Sequence, residues 1–280
     1  MHILKGYTKQ EISWMMYDWA NSAHSVIIVT LLPIFFDTVA GYTADSVSSM
    51  STWGYATSIA MLIVALAAPF LGVFGDIRGM RKKLFSFFML LGVAACAGMA
   101  FTPGMDFTSG PAAAGKVASL ILVLYIVSVI GFDASAIYYD AFLTDVTIED
   151  RMDKVSTMGY GLGYIGGSTI PLLIFLIMNL VGVPMLTCLA FVFGLTAVWW
   201  LAFSLPLLKN CEQTSGKPYE KGDVARSIKG VGTTIKEIIA NKPMLIYILS
   251  YFFYIDGVHT VISMATTYGT NLCLLYTSDA

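Results

Sequence analysis

Two groups of polar residues interrupt apolar stretches of this 280-residue chain and share one spacing. The groups are Asp18, Asn21, Ser22 and Ser25 near the start, and Asp256, His259, Thr260 and Ser263 near the end. Residues spaced i, i+3, i+4 and i+7 lie on one face of a helix, so each group predicts a polar stripe on an apolar helix. Carboxylates inside a membrane are costly and typically mark a substrate or ion pathway. The two stripes therefore predict two helices that face one cavity.

The acids of the apolar stretches differ in predicted depth. At a rise of about 1.5 Å per residue, Asp256 lies about 18 Å along its helix from residue 244, near the membrane midplane. Asp133 lies about 9 Å from the cytoplasmic end of its helix, and Asp18 only about 6 Å from the end of its own. We expect Asp256 to be the strongest candidate for a substrate or proton site. A buried structural hydrogen bond is the alternative for each acid, and Asp18 also fits an interfacial position at the start of its helix.

Two histidines accompany these acids. His24 lies near the predicted midplane and His259 follows Asp256, and an imidazole titrates close to neutral pH. Both are candidates for a proton pathway. The alternative is that each packs inside a helix bundle, which is the more usual position of a lone histidine. Asn21, Ser22 and Ser25 either line the cavity or bridge neighbouring helices.

The composition indicates a polytopic membrane protein. Hydrophobic residues make up 57% of the chain and charged residues 12%, and the mean hydropathy is +0.74, whereas soluble domains carry about 25% charged residues. Seven stretches are long enough to cross the membrane. They are residues 14–36, 53–74, 84–101, 117–139, 156–178, 184–208 and 244–267. None contains Lys or Arg.

The segments between the stretches carry an asymmetric charge. The N-terminal segment and the segments after the second, fourth and sixth stretches together hold every Lys and Arg of the chain except Lys116. The positive-inside rule therefore predicts a cytoplasmic N-terminus and cytoplasmic loops after the second, fourth and sixth stretches. The four cysteines fit neither a metal-ligand spacing nor a disulfide framework. We expect no metal, cofactor or nucleic-acid partner.

A charged turn follows the second stretch. Its pattern is Gly72, Asp76, Gly79, Arg81 and Lys82, in which an acid and a tight glycine turn precede a basic cluster that enters the next helix. This predicts a gating or structural hinge, with a simple positive-inside anchor as the alternative. Asp140 and Arg151 fall at other cytoplasmic ends, and we assign them to the same gating or structural class.

This turn resembles the signature loop of the major facilitator superfamily, G-x-x-x-D-x-x-G-x-[RK]-[RK], and it occupies the same place between helices two and three. Further segments resemble one branch, the vacuolar amino-acid effluxer-like family, whose fungal members are linked to autophagy and whose bacterial members are mostly uncharacterised permeases. These segments are residues 17–23 (Tyr-Asp-Trp-Ala-Asn-Ser-Ala), 139–143, 151–160, 163–167 and 256–257. The resemblance covers about residues 12–269 and implies an all-α fold of twelve helices with helices one, four and seven around the central cavity.

The resemblance also implies a division of the chain. We expect a six-helix bundle at residues 1–208, a cytoplasmic central loop at 209–243, the first helix of a second bundle at 244–269 and an artefactual tail at 270–280. Apolar residues at helical spacing between 225 and 239 predict an amphipathic helix on the inner membrane surface, with a solvated linker as the alternative. The rest of the second bundle is expected to lie outside this chain.

We therefore expect a multi-pass transporter, not an enzyme, that moves small solutes by alternating access. The resemblance implies amino acids as the substrate. The depth of Asp256 and Asp133 makes the proton a candidate coupled ion, and the lipid bilayer surrounds the protein. The location would be the inner membrane of a bacterium or the vacuolar membrane of a fungus. Other solutes, such as sugars or peptides, and a non-transporting membrane sensor are the alternatives. A membrane-embedded enzyme is disfavoured because the chain lacks H-E-x-x-H, G-x-S-x-G and paired metal-ligand motifs.

Overall fold

The computed structural model describes residues 5–43, 46–218 and 223–268, and there the chain is built of α-helices. The helices are α1 (Lys9–Thr30), α2 (Leu32–Ala40), α3 (Ser46–Gly75), α4 (Arg81–Met99), α5 (Pro111–Val146), α6 (Glu149–Leu162), α7 (Thr169–Leu180), α8 (Met185–Asn210), α9 (Asp223–Ala240) and α10 (Lys242–Tyr268). Within these ranges seven helical stretches are long and apolar enough to cross a membrane. The predicted all-α membrane fold with seven spans is confirmed.

Two of the seven spans are made of paired helices. The first span joins α1 and α2 and covers Lys9–Ala40, which is longer than the predicted 14–36. The break falls at Leu31, and Pro33 lies in the first turn of α2, where its missing N–H is not needed. The fifth span joins α6 and α7 through a π turn at Gly163–Ser168. Pro171 follows this turn and cannot donate a backbone hydrogen bond, which favours a local change in helix geometry.

Helix α1 lies inside the bundle against α5, α8 and the fifth span. Three hydrogen bonds join α1 to α5 at successive levels: Trp14 Nε1 donates to the Tyr139 carbonyl (2.9 Å), Tyr17 pairs with Ser135 (2.7 Å) and His24 pairs with Ser128 (3.2 Å). Trp14 and Tyr139 also stack with ring centroids 4.3 Å apart. Since polar groups in hydrocarbon need partners within the protein, these pairs fix the rotation of α1 against α5.

Helices α4 and α5 approach each other at two glycines. A Cβ atom on Gly131 would lie 2.5 Å from the backbone nitrogen of Gly92, and a Cβ on Gly92 would lie 2.5 Å from the ring of Trp200 on α8. Real Cβ atoms do not make contacts this short. The two glycines therefore allow α4 to lie close to both α5 and α8, as small residues do at membrane helix interfaces.

Helix α10 is the least enclosed of the spans. Its apolar side chains stay exposed, including Phe252 (57%) and Phe253 (70%), and it contacts α1, α2, α3 and α9. Helix α9 precedes it at the position of the proposed amphipathic helix, with Ile235 and Ile239 exposed. The proposed tail at residues 270–280 lies outside the described residues.

Replacing Gly131 by alanine should destabilise the bundle, because the new Cβ would force α4 away from α5. We expect Gly131→Ala to lower the free energy of unfolding by about 2 kcal/mol, in the range of other overpacking substitutions. Thermal unfolding in detergent measures this. The matched control is Gly194→Ala on α8, where a Cβ would make an ordinary 3.6 Å contact with Ala100. Equal unfolding temperatures for the two variants would contradict the assigned α4–α5 contact.

Candidate functional site

A cavity of about 640 Å³ lies between α3 and α10. Hydroxyl side chains line its α3 wall, where Ser51, Thr57 and Ser58 occur, and Asp256 and Thr260 line the α10 wall. The rings of Tyr55 and Phe252 complete an aromatic part of the lining. None of the described lining residues is Lys, Arg or His. The cavity therefore combines one carboxylate, several hydroxyl groups and aromatic surface, which suits a small polar solute better than an anion.

The second predicted stripe contributes directly to this cavity. Asp256 and Thr260 both face it, and the Asp256 residue is exposed to the cavity space. The side chains of His259 and Ser263 lie outside the part that the structure describes. Within the described ranges, no three acidic, histidine or cysteine side chains come together as a metal site would require.

The first predicted stripe divides between two surroundings. Asp18 and Ser22 face Gly159 and Gly163 of the fifth span, which we call the glycine ridge. A Cβ on Gly159 would lie 2.5 Å from Asp18 Oδ2, and a Cβ on Gly163 would lie 2.6 Å from Ser22 Oγ. Ser25 is exposed and Asn21 is half-buried. None of the four lines the α3–α10 cavity. Two of the stripe's residues thus pack against a neighbouring helix of the same bundle.

Asp18 lies beside two groups of α5. The Tyr139 hydroxyl and the Asp140 carboxylate are both close enough to act on it electrostatically. The Tyr139 hydroxyl is buried next to the Asp18 carboxylate. Asp140 itself is exposed. The first predicted stripe therefore places its acid in a small polar cluster with a hydroxyl and a second carboxylate of α5.

His24 lies in the bundle core, away from the cavity. The residue is 3% exposed, and its ring stacks on Phe132 and tilts against Trp200, each with centroids 4.9 Å apart. Its Nε2 pairs with Ser128, and its Nδ1 has no hydrogen-bond partner in the described part of the chain. The His24 ring is therefore packed among aromatic side chains of the bundle.

Asp133 has an indirect relation to the cavity. The residue is half-buried on α5 and lies near enough to Tyr125 to act on it electrostatically. The Tyr125 hydroxyl in turn pairs with Thr57 Oγ1 at 3.1 Å, and Thr57 lines the cavity. Tyr125 therefore stands between the cavity wall and the second acid.

The charged turn between α3 and α4 forms a buried ion pair at one end of the bundle. Arg81 is buried, pairs with the Asp145 carboxylate and donates from Nη1 to the Ala141 carbonyl at 3.0 Å. Asp76 is exposed and lies 3.9 Å from Arg81. Gly79 makes the turn with φ +80°, a conformation that glycine adopts without strain. Gly72 and Lys82 flank the turn and are half-buried.

Arg151 makes a second ion pair at the same end. Its Nε and one terminal nitrogen each donate to a Glu11 oxygen at 2.9 Å, so the pair is bidentate. Thr147 Oγ1 and the Thr8 backbone N–H also donate to Glu11, each at 2.7 Å. The Glu11 side chain is 2% exposed. The start of α1 is thereby tied to the junction between α5 and α6.

Sequence reasoning missed several residues of these clusters. Asp145 and Glu11 lie just beyond the apolar stretches, because α5 and α1 extend past the hydrophobic edges that defined the predicted spans. Sequence reasoning also missed the hydroxyl residues of α3, because it started from acids within apolar stretches and none accompanies them. These residues are Ser51, Thr57 and Ser58. A search for acids within two turns of a predicted span end would have included Asp145 and Glu11 as candidate partners for Arg81 and Arg151.

The all-α fold with seven spans and a charged turn between the second and third defines a multi-pass membrane protein of the major facilitator type. The chain belongs to the vacuole effluxer Atg22-like family, whose model matches residues 41–279.

Named relatives fall in bacteria and fungi. The chain is 40% identical over 278 residues to the uncharacterized MFS-type transporter YxiO of Bacillus subtilis, a match that covers 96% of this chain and 62% of that protein. It is 26% identical over 136 residues to autophagy-related protein 22-1 of Penicillium rubens, covering 45% of this chain and 23% of that protein. The corresponding protein of Sclerotinia sclerotiorum is 27% identical over 128 residues, covering 40% and 21%. The chain thus spans less than two thirds of each relative.

Substituting Glu11 should weaken the tie between α1 and α6. We expect Glu11→Gln to lower the free energy of unfolding by about 2 kcal/mol, because Arg151 loses its charge-assisted hydrogen bonds. Chemical denaturation in detergent would measure the change. Glu149→Gln is the matched control, since Glu149 is an exposed acid in the first turn of α6, the helix that carries Arg151. A Glu11 variant as stable as the control would show that the pair is not structural.

Proposed function

We propose that this chain is part of a membrane transporter that moves small solutes by alternating access, and that amino acids are its preferred class. The observation that carries the proposal is the cavity between α3 and α10, with the Asp256 carboxylate in its wall. Helix α3 belongs to the first bundle, and α10 follows the central loop. A cavity between two such units changes its access when one unit rocks against the other.

The lining supports a substrate that carries an ammonium group. Asp256 offers a carboxylate for a charge-assisted hydrogen bond, and the rings of Tyr55 and Phe252 offer π faces to a cation. Hydroxyls of Ser51, Ser58 and Thr260 line the same space. A substrate carboxylate would need a cation or a helix N-terminus, which the rest of the protein would supply.

Proton coupling is the finer part of the proposal. Asp256 borders the cavity directly, and Asp133 lies beyond Tyr125 and Thr57. A proton that binds either acid would change the charge next to the substrate and link the two binding events. Asp18 and its neighbour Tyr139 are a further candidate along the first helix.

We also propose that the N-terminus faces the cytoplasm. The positive-inside distribution carries this orientation. The ion pairs of Arg81 and Arg151 then lie at the cytoplasmic ends of the helices, together with Asp140. In a bacterial cell the protein would lie in the inner membrane.

A sugar is the second candidate substrate, because the same lining presents hydroxyl groups and aromatic rings. A panel of neutral amino acids, hexoses and dipeptides in a proteoliposome flux assay with the full-length protein separates these classes. Accumulation of no member of the panel would favour a non-transporting sensor.

Removing the cavity carboxylate tests its role. Because a charge-assisted hydrogen bond would be lost, we expect Asp256→Asn to reduce amino-acid flux by at least about tenfold, and Ser58→Ala to reduce it by about threefold. Asp37→Asn is the matched control: Asp37 is an acid of the first span that does not line the cavity. Undiminished flux in Asp256→Asn would remove this residue from the pathway.

A second measurement separates binding from coupling. If Asp256 carries the coupled proton, Asp256→Asn loses accumulation driven by a pH gradient but retains counterflow exchange of substrate. If Asp256 binds the ammonium group, both activities fall together. Measuring the two activities in the same proteoliposomes decides between these roles.

A further inference from the structure

The residues that follow α8 do not leave the bundle at once. Residues 213–217, named the strap here, lie across the turn between α3 and α4, within the described part of the central loop. The strap makes three separate sets of contacts with the first bundle. Neither the signature pattern nor the proposed transport function assigns a role to it.

Gln213 caps two helices with a single side chain. Its Oε1 accepts hydrogen bonds from the backbone N–H groups of Gly79 (2.8 Å) and Arg81 (3.2 Å), and its Nε2 donates to the Gly75 carbonyl at 3.0 Å. Gly75 is the last residue of α3 and Arg81 the first of α4. Helix ends leave such backbone groups without intrahelical partners, so the amide satisfies the end of one helix and the start of the next.

Asp145 holds the next two residues of the strap. Its Oδ1 accepts from the backbone N–H and the hydroxyl of Thr214 (3.0 and 2.9 Å) and from the same two groups of Ser215 (2.9 and 2.7 Å). Its Oδ2 pairs with Arg81. The Asp145 side chain is fully buried. One carboxylate therefore joins the strap, the charged turn and the end of α5.

The last part of the strap pairs with the turn as an isolated β-bridge. The Arg78 N–H donates to the Lys217 carbonyl at 3.0 Å, and the Lys217 N–H donates to the Asp76 carbonyl at 3.1 Å. Gly216 precedes this bridge with φ +117°, and a Cβ there would lie 2.8 Å from the Asp76 carbonyl oxygen. This position thus requires glycine for its conformation and for the close approach.

From these contacts we infer that the strap is a standing clamp that makes the start of the central loop part of the first bundle. The first unit of the transporter then extends to Lys217 and does not end with α8. Tension in the central loop reaches the turn between α3 and α4 through Gln213, Asp145 and the bridge. The charged turn thereby becomes the point at which movement of the second unit acts on the first.

This role follows from the strength of the attachments. Opening the strap would expose the Asp145 carboxylate, break four hydrogen bonds to it and leave the ends of α3 and α4 uncapped. Losing buried partners of a charged group is costly. The strap is therefore expected to stay closed while other parts of the transporter move. The transport readout below rests on the proposed function, whereas the structural readouts do not.

Amide hydrogen exchange on the full-length protein tests the clamp. We expect residues 213–217 and the turn at 76–81 to exchange slowly together, and Asp145→Asn or Gln213→Ala to speed exchange in both segments by about tenfold. Glu212→Gln is the matched control, because Glu212 is exposed and directly precedes the strap. Its exchange should equal that of the unmodified protein. Unchanged exchange in both Asp145→Asn and Gln213→Ala would overturn the inference.

A disulfide across the bridge tests whether the strap stays closed during transport. Ile77 and Lys217 are bridge partners, and adjacent strands lie about 4.8 Å apart, within the span of a disulfide. The double variant Ile77→Cys, Lys217→Cys should form a crosslink on mild oxidation. Its transport rate in the crosslinked state should equal its transport rate after reduction. Lys217→Cys alone is the control. Native Cys211 should not compete, because burial raises the pKa of its thiol to about 12.

The outcomes separate the clamp from transport itself. Absence of the crosslink, or a crosslinked protein that is inactive until it is reduced, overturns the inference that the strap stays closed. An unmodified protein that is inactive in the same assay contradicts the proposed function, and the crosslink yield and exchange rates still decide whether the clamp exists.

Discussion

The fold depends on one constraint: polar groups within the hydrocarbon must find partners inside the protein. Helix α1 carries several polar side chains that would be costly to expose to lipid. The position of α1 in the bundle follows from the partners that these side chains need. Tyr17 and His24 pair with serines of α5, whereas Asp18 and Ser22 face glycines of the fifth span. A helix with such demands on two sides must lie between its neighbours, which is where α1 is found.

A related demand organises the end of the bundle that carries Arg81 and Arg151, where helix termini present backbone groups without intrahelical partners. Two acids at this end each accept hydrogen bonds from several groups. Asp145 joins Arg81 to the strap, and Glu11 joins Arg151 to the start of α1. Because each acid connects different spans, spans before the central loop are tied to one another at this end.

Hydropathy and charge were sufficient to predict the seven spans, because burial in lipid acts on each segment separately. They could not predict the extents of α1 and α5, whose polar ends continue beyond the apolar edges and carry Glu11 and Asp145. Periodicity likewise places Asp18 and Ser22 on one face of a helix, but it does not say what covers that face. That face is covered by Gly159 and Gly163, about 140 residues further along the chain. Glycines allow any helix to approach closely, so they do not indicate which helix is their partner.

The two polar stripes show why equal spacing does not give equal chemistry. Their acids occupy similar patterns, yet Asp18 is packed against a glycine ridge and Asp256 borders open space. The Asp18 carboxylate lies among groups of its own bundle. The Asp256 carboxylate instead borders the space between α3 and α10, where a solute can reach it. Equal spacing along a helix therefore leaves two acids in different surroundings, because the fold decides what each helix face meets.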